Sequence, residues 1–92
     1  MAEIVKTEGV IGGKARLAGH RISVFQVGEM YADAAYAPEE IADQLDLTLA
    51  EVHAALSYYY EHPEEMEAVR ERRETRIADL EERSQAPEEL TR

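Results

Sequence analysis

The stretch APEEIADQLDLTLAEVHAALSYYYEH, residues 37–62, predicts two helices joined by a tight turn. Pro38 suits the first turn of a helix, because the N–H that proline lacks would be unpaired there. Thr48 and Glu51 match a capping box, in which each side chain binds a free backbone N–H of the other residue. A short helix, a turn of about three residues and a longer helix together form a helix-turn-helix.

The second helix of this motif carries an apolar stripe. Its members recur as on one face of an amphipathic helix: Leu49, Val52, Leu56 and Tyr59. Many small helical domains contain such a corner without contacting DNA. The motif alone therefore leaves a DNA-binding and a purely structural interpretation open.

The residues before the motif predict short strands, tight turns and one more helix. Residues 3–7 are rich in β-branched side chains, residues 14–17 and 21–24 could form two further brief strands, and glycines between residues 9 and 19 indicate turns. Gly12-Gly13-Lys14 is only a weak match to a phosphate-binding loop, so structural turns are the better interpretation. Ser23 and Gln26 predict the capped start of a helix, in which Gly28 permits a neighbour to approach closely.

Three segments follow from these patterns. We predict a domain of strands and three helices over residues 1–62, a charged helix over residues 63–83 and a flexible tail over residues 84–92. The charged helix has an apolar line that Arg73 interrupts: Met66, Val69, Ile77 and Leu80. Such a helix is either solvated and laced with Glu–Arg pairs, or a partner-binding arm that finishes folding on contact.

The net charge of −10 is unevenly distributed along the chain. Residues 1–21 carry +2, residues 22–69 carry −11 without a single lysine or arginine, and residues 70–92 carry −1. Proteins that bind duplex DNA normally present a basic surface to the phosphates. The charge distribution therefore argues against unaided DNA binding by the helix-turn-helix, and it favours a basic protein partner or a halophile-like adaptation to a salt-rich cytoplasm.

Composition also narrows the class of protein. The chain has no cysteine, which excludes disulfides and thiolate metal sites, and no apolar run of the roughly 18 residues that span a bilayer. No signal-peptide pattern begins it, so we expect a cytoplasmic protein without membrane contact. The histidines at 20, 53 and 62 lack metal-ligand spacing and no catalytic constellation stands out, so we expect no enzyme, metal or cofactor.

Residues 9–56 resemble a family of small prokaryotic proteins, domain-of-unknown-function family four-three-three, whose members are regarded as antitoxin-like. The resemblance is carried by Gly9, Gly12-Gly13-Lys14, Gly19, Arg21-Ile22, Val24, Pro38 to Ile41, Leu47-Thr48, Val52 and Ala55-Leu56. The chain departs from the family pattern at Ala15, where proline is usual, and at His20, where threonine is usual.

The resemblance implies a winged-helix-like helix-turn-helix fold with short N-terminal β-strands. Together with the long C-terminal helix that the sequence pattern predicts, the expected fold is mainly α. The resemblance also implies the antitoxin of a type II toxin–antitoxin system, which neutralises a PIN-like nuclease toxin by direct binding. Antitoxins of this kind are thought to bind their own promoter DNA as well, and so to regulate transcription of their operon.

Two sets of residues are candidates for these contacts. The set for DNA or an acidic partner is Lys14, Arg16, Arg21, Thr48, His53 and Ser57. The set for a homodimer or toxin interface is Tyr58, Tyr59, Tyr60, Met66, Val69, Ile77 and Leu80. Three consecutive tyrosines span about 200° of a helix, so one face cannot bury all of them and at least one should be exposed. Tyrosine is common at interfaces, and a chain of this size has a thin core, so we expect a homodimer.

Two hypotheses from different classes remain at this stage. One is an antitoxin that binds a basic toxin and regulates its operon. The other is a homodimeric protein-interaction module that never contacts DNA. The family motif favours the first, and the acidic helix-turn-helix favours the second.

Overall fold

A computed structural model describes the backbone of residues 2–90 and the side chains of residues 2–83. The order of elements is β1 (Ile4–Val5), a 3-10 turn (Ile11–Gly13), β2 (Arg16–Leu17), α1 (Val24–Ala32), α2 (Pro38–Leu45), α3 (Leu49–Glu61) and α4 (Pro63–Leu90). The fold is therefore mainly helical, with two short N-terminal strands and a long C-terminal helix, as the sequence predicts.

The two strands pair antiparallel, with Ile4 opposite Leu17 and Val5 opposite Arg16. The third strand expected over residues 21–24 is reduced to a single bridge between Arg16 and Ser23. Helix α1 begins at Val24, directly after this bridge, and its start leaves no room for a longer strand.

The glycine-rich segment forms turns, as expected. Gly12 and Gly19 have φ angles of 70° and 83°, a left-handed conformation that residues with a side chain rarely adopt. The turn at Gly19 returns the chain from β2 toward α1, and the turn at Gly12 presents Lys14 beside the helices.

The predicted helix starts are confirmed by their hydrogen bonds. Ser23 Oγ accepts the Gln26 N–H at 3.0 Å. At the start of α3, Thr48 Oγ1 accepts the Glu51 N–H at 3.1 Å, while the Thr48 N–H donates to Glu51 Oε1 at 2.9 Å. These bonds satisfy backbone donors that a helix terminus otherwise leaves free.

The helix-turn-helix consists of α2, a short turn and α3. Asp46 ends α2 in the left-handed conformation, with φ 57° and ψ 48°, and its N–H donates to Ala42 O. A left-handed residue after a helix is a common way to stop it and redirect the chain. Asp46 therefore sets the corner between the two helices.

The core lies among α1, α2, α3 and β2. Its fully buried side chains are Leu17, Ile41, Val24, Val27 and Val52. Leu49, which the apolar stripe assigns to the buried face of α3, is 41% exposed, so that assignment is wrong. The buried face is centred on Val52, Ala55 and Leu56, and Leu49 lies in the first turn at its edge.

Gly28 allows α1 and α3 to pack closely, as expected from its position. A Cβ added at Gly28 would overlap the ring of Tyr59 at Cδ1, so the two could not occupy these positions together. The ring of Tyr59 therefore occupies the space that any other side chain at position 28 would need.

Helix α4 joins the core only at its beginning. Met66 and Val69 are 4% and 5% exposed, so the core continues past residue 62, whereas every side chain from residue 71 to residue 83 is exposed. The helix continues to Leu90, beyond its predicted end at residue 83, and the last two residues of the predicted tail lie outside the described residues. The molecule measures 55 × 27 × 23 Å. Within the described chain, no helix has the length and apolar character to cross a membrane.

Candidate functional site

A positively charged cavity lies between the glycine-rich turn and α4. It encloses about 410 Å³ and is called the basic cleft below. Its lining residues are Ile11, Gly12, Lys14, Phe25, Val69, Arg72, Arg73 and Arg76. Four of these eight carry a positive charge, although the whole chain carries −10.

Local structure explains why these cations meet. The 3-10 turn places Lys14 on one side of the basic cleft. Arg72 and Arg76 are four residues apart and therefore share one face of α4, with Arg73 beside them. Phe25 and Val69 supply apolar walls from α1 and α4.

The cations of the basic cleft differ in how they are already used. Arg73 Nη1 donates to Glu29 Oε1, which fixes α4 to α1. Within residues 2–83, Lys14, Arg72 and Arg76 form no ion pair. Three of the four charges are therefore available to an anion from outside the chain.

Arg16 and Arg21 do not join Lys14 in this cavity. Arg16 Nη1 donates to His20 O at 2.9 Å, and Arg16 Nη2 donates to Thr7 Oγ1 at 3.0 Å. Its guanidinium thus ties β2 to the turn that follows, and its buried Nε has no partner in the described part of the chain. Arg21 is exposed and lies outside the basic cleft. Of the three basic residues predicted to contact a partner, only Lys14 lies where other cations converge, and the contact itself stays a prediction.

Arg72 and Arg76 were missed as candidates by sequence reasoning. Their signal was the concentration of arginine from Arg70 onward, together with the four-residue spacing that places two of them on one helical face. What the sequence could not give was the position of Lys14 against that face, which depends on how α4 packs.

The other candidates for DNA contact lie on α3. Thr48 is the helix cap, while His53 and Ser57 are exposed and line a groove of about 440 Å³ with Tyr31, Pro38, Leu56, Tyr60 and Glu61. This groove is aromatic and acidic, and it contains no lysine or arginine. The outward face of α3 thus lacks the cations that usually meet phosphates.

His20, at which the chain departs from the family pattern, makes a defined contact. His20 Nε2 lies 3.1 Å from Glu51 Oε2, so the turn after β2 is joined to the start of α3. The Thr48 N–H and, secondarily, His20 hold the pKa of the Glu51 carboxyl below its ordinary value. The histidine therefore supplies a polar link at the place where the family usually has threonine.

The three consecutive tyrosines have three different environments. Tyr58 is half-buried, its hydroxyl donates to Glu65 Oε1 at 2.8 Å, and its ring stacks on His62 with centroids 3.9 Å apart. Burial raises its pKa, and the bond to Glu65 adds to that effect. Tyr59 packs over Gly28 and accepts from Arg70 Nη2 at 3.3 Å, and burial likewise raises its pKa.

Tyr60 is the tyrosine that remains at the surface, with 56% of its area exposed. Its ring meets that of Tyr31 edge to face, with centroids 6.4 Å apart. The prediction that at least one of the three tyrosines is exposed is confirmed.

The predicted interface set on α4 divides into two groups. Met66 and Val69 are buried in the core of this same chain, so this structure does not present them to a partner. Ile77 and Leu80 are 45% and 51% exposed. The reason is the packing of α4, whose first turns cover Phe25 and the end of α3 while later turns extend past them.

A metal centre has no support among residues 2–83, where no group of three or more histidine or acidic side chains could hold an ion. The described surface offers cations, aromatic rings and exposed aliphatic side chains for contacts with a partner.

The chain belongs to the family described as protein of unknown function (DUF433), whose model matches residues 4–59. The match covers both strands, α1, α2 and most of α3, and it confirms the resemblance seen in the sequence. No curated protein and no solved structure matches the chain. Helix α4, which supplies three of the cations of the basic cleft, lies outside the family match.

Proposed function

We propose that this chain is the antitoxin of a type II toxin–antitoxin pair and that it neutralises a PIN-like nuclease toxin in the cytoplasm by direct binding. The resemblance of residues 9–56 to antitoxin-like proteins supports the class. The observation that carries the mechanism is the exposed aliphatic pair Ile77 and Leu80 on a part of α4 that has left the core.

An exposed helix that offers aliphatic side chains suits a partner with a hydrophobic groove. Ile77 and Leu80 are three residues apart and therefore lie on one face, as the anchors of helix-in-groove binding do. The acidic surface of residues 22–69 would attract a basic toxin at long range, and the aliphatic pair would supply the buried contact.

The test is co-expression of the full chain with the toxin-like product of the adjacent gene, with growth and complex formation as readouts. Ile77→Glu with Leu80→Glu should abolish rescue of growth, because two charges would have to enter the apolar groove. Thr75→Glu with Ala78→Glu, which adds the same two charges at exposed positions on another face, is the matched control and should still rescue.

Truncating the chain tests the role of the later part of α4 separately from that of the core. A chain ending at residue 74 keeps Met66, Val69, Arg70 and Arg73 with their contacts, whereas a chain ending at Pro63 would lose part of the core. The longer truncation should remain folded and fail to neutralise. Full neutralisation by that truncated chain would place the interface elsewhere and contradict the proposed mechanism.

The same proposal includes a homodimer, for which the Tyr31–Tyr60 aromatic surface is the best-supported contact. Sedimentation equilibrium at micromolar concentration and at the native salt should give twice the mass of the chain. Tyr60→Glu should shift that mass to the monomer, while Gln44→Glu, at an exposed position of α2 outside this surface, should not. A monomeric wild-type chain would remove the dimer.

A homodimeric interaction module that does not bind DNA is the second candidate function. It is favoured by the groove along α3, in which His53 and Ser57 are accompanied by Tyr60 and Glu61 and by no cation. A gel shift with the upstream promoter region distinguishes the two, with and without the toxin. Autoregulation through the helix-turn-helix requires a specific shift that His53→Ala and Ser57→Ala weaken.

A further inference from the structure

The basic cleft has the composition of an oxyanion site. We propose that it binds a phosphate group, with Lys14 from the glycine-rich turn and Arg72 and Arg76 from α4 as the principal ligands. The proposal does not rest on the antitoxin function, because none of these residues belongs to the aliphatic pair proposed to hold the toxin.

The donor set suits phosphate. Each guanidinium offers five N–H donors in a planar fork that can bind two phosphate oxygens at once, and the lysine ammonium offers three more. Since Lys14, Arg72 and Arg76 form no ion pair with any residue from 2 to 83, an incoming anion would not have to displace an internal carboxylate from them.

Arg73 has a different part in the same cleft. Its bond to Glu29 Oε1 anchors α4 on α1 and fixes the helical face from which its neighbours project. Arg70, one turn earlier, lies 5.2 Å from the centroid of Phe25 and donates to Tyr59. These contacts hold the phosphate ligands in place without occupying them.

The cleft also has room for more than a water molecule. Its volume of about 410 Å³ lies within the range of about 300 to 1,000 Å³ that small-molecule sites show. Phe25 and Val69 form the apolar part of its wall, while Arg72 and Arg76 are exposed and therefore accessible to an anion from solvent.

The net charge of the chain does not prevent this binding. Charges more than a Debye length apart, about 8 Å at physiological salt, are largely screened from each other. The acids of α2 and α3 belong to the helix-turn-helix. On α4, Glu71, Asp79 and Glu82 line a neighbouring groove together with Arg72 and Arg76, and within residues 2–83 none of them forms an ion pair with either arginine. Among the cations that line the cleft, Arg73 is the one that a described carboxylate neutralises, through its bond to Glu29.

A phosphate could come from a free phosphorylated molecule or from a nucleic-acid backbone. The experiment uses inorganic pyrophosphate and a short DNA duplex as separate probes, with the full-length chain at physiological salt. Calorimetry follows the first probe and fluorescence anisotropy the second. The test variant is Lys14→Ala with Arg72→Ala and Arg76→Ala.

Two controls make the result specific. Arg83→Ala removes an arginine of α4 that pairs with Asp79 and lies outside the cleft. Arg72→Lys with Arg76→Lys keeps the charge while removing the guanidinium fork. Circular dichroism checks that each variant retains its helices, and the single variants Lys14→Ala and Arg76→Ala replace the triple variant if that variant unfolds.

We expect saturable binding of at least one probe, with a loss of about tenfold for each cleft cation removed, as for a charge-assisted hydrogen bond. Arg83→Ala should bind like the wild type, and the lysine variant should fall between. Pyrophosphate binding would assign the cleft to a free phosphorylated ligand, and binding of the duplex alone would assign it to a nucleic-acid backbone. Absence of binding to both probes, or an equal loss in Arg83→Ala, would overturn the proposal.

Discussion

Residues 63–83 of helix α4, whose side chains the structure describes, form two regions with the same kind of sequence and opposite surroundings. The proximal half, residues 63–73, buries Met66 and Val69 and contributes Arg70 and Arg73 to bonds with α1 and α3. The distal half, residues 74–83, has no buried side chain, and its described ion pair joins Arg83 to Asp79 on the same helix. Both halves are rich in glutamate and arginine, yet only the first belongs to the folded core.

The difference shows which interactions fix a charged helix in place. A pair such as Asp79–Arg83 stabilises a helix by only about 0.3–0.5 kcal/mol, whereas burying a side chain of the size of Met or Val contributes about 1.5–3 kcal/mol. Isolated helices shorter than about 12–15 residues are marginal in water. The distal half therefore depends on the proximal half, or on a partner, for its helical structure.

The largest expected contrast comes from truncating one apolar side chain in each half. Met66→Ala should lower the free energy of unfolding by about 2–5 kcal/mol, because it opens a cavity in the core. Ile77→Ala should change it by no more than about 0.5 kcal/mol, as at other exposed positions. Urea denaturation of both variants, followed by circular dichroism, measures the contrast.

The same pair of variants can contradict the comparison. If Ile77→Ala destabilises the isolated chain as much as Met66→Ala does, the distal half is packed in solution. Repeating the denaturation over a range of protein concentrations would then show whether a second copy covers it, since the unfolding midpoint of a dimer rises with concentration.

A smaller loss of stability is expected from disturbing Tyr59, the residue of α3 that accepts from Arg70 in the proximal half. Gly28→Ala should cost about 1–3 kcal/mol, because its Cβ would meet the ring of Tyr59, which also accepts from Arg70. Hydrogen exchange should show faster exchange in the proximal half of α4. Ala32→Gly, an exposed change in the same helix, controls for helix propensity, and equal protection in both variants would mean that Tyr59 does not support α4.

The hydrogen bond from Tyr58 on α3 to Glu65 in the proximal half should contribute less to the free energy of unfolding than the Gly28–Tyr59 packing does. Tyr58→Phe removes the hydroxyl that donates to Glu65 and should cost about 1 kcal/mol. Tyr60→Phe, at the exposed neighbour, should be neutral in the monomer. Thermal unfolding of both variants gives the comparison, and equal midpoints would show that water replaces the Tyr58 bond.

The smallest expected effect on stability comes from Glu51 in α3, outside both halves of α4. Because the pKa of folded Glu51 is below its ordinary value, its contribution to stability is present above that value and is lost as pH falls through the folded pKa. Its ordinary value is 4.5, so the loss should begin near that pH and continue below it. Urea midpoints measured across this range should fall less in Glu51→Gln than in the wild type. A parallel fall in both chains would assign the acid sensitivity to other carboxyls.

The sequence predicted the parts of the fold that local chemistry determines. Thr48 and Glu51 form the expected reciprocal cap, and Gly28 forms the expected close contact, because both effects depend on residues a few positions apart or on the absence of a side chain. Leu49 was misassigned because a step of three residues is compatible with the edge of a buried face as well as with its centre.

The candidate site was predicted only in part. Lys14 lies on a turn, as the sequence predicts, but its neighbours Arg72 and Arg76 are more than fifty residues away in the sequence and meet it only through the packing of α4. The bonds of Arg16 could not be predicted either, because the carbonyl and the hydroxyl that accept from its guanidinium belong to the turns around it, and composition does not reveal such bonds.

The contact between Gly28 and Tyr59 also restricts which amino acids can replace these two residues in evolution. The two positions are far apart in the chain, yet they share one volume, so a change at either is felt by the other. We expect relatives with a larger residue at the position of Gly28 to carry a smaller one at the position of Tyr59. In a library that randomises both positions and selects for folded protein, the survivors should show this coevolution as an inverse relation between the two side-chain volumes.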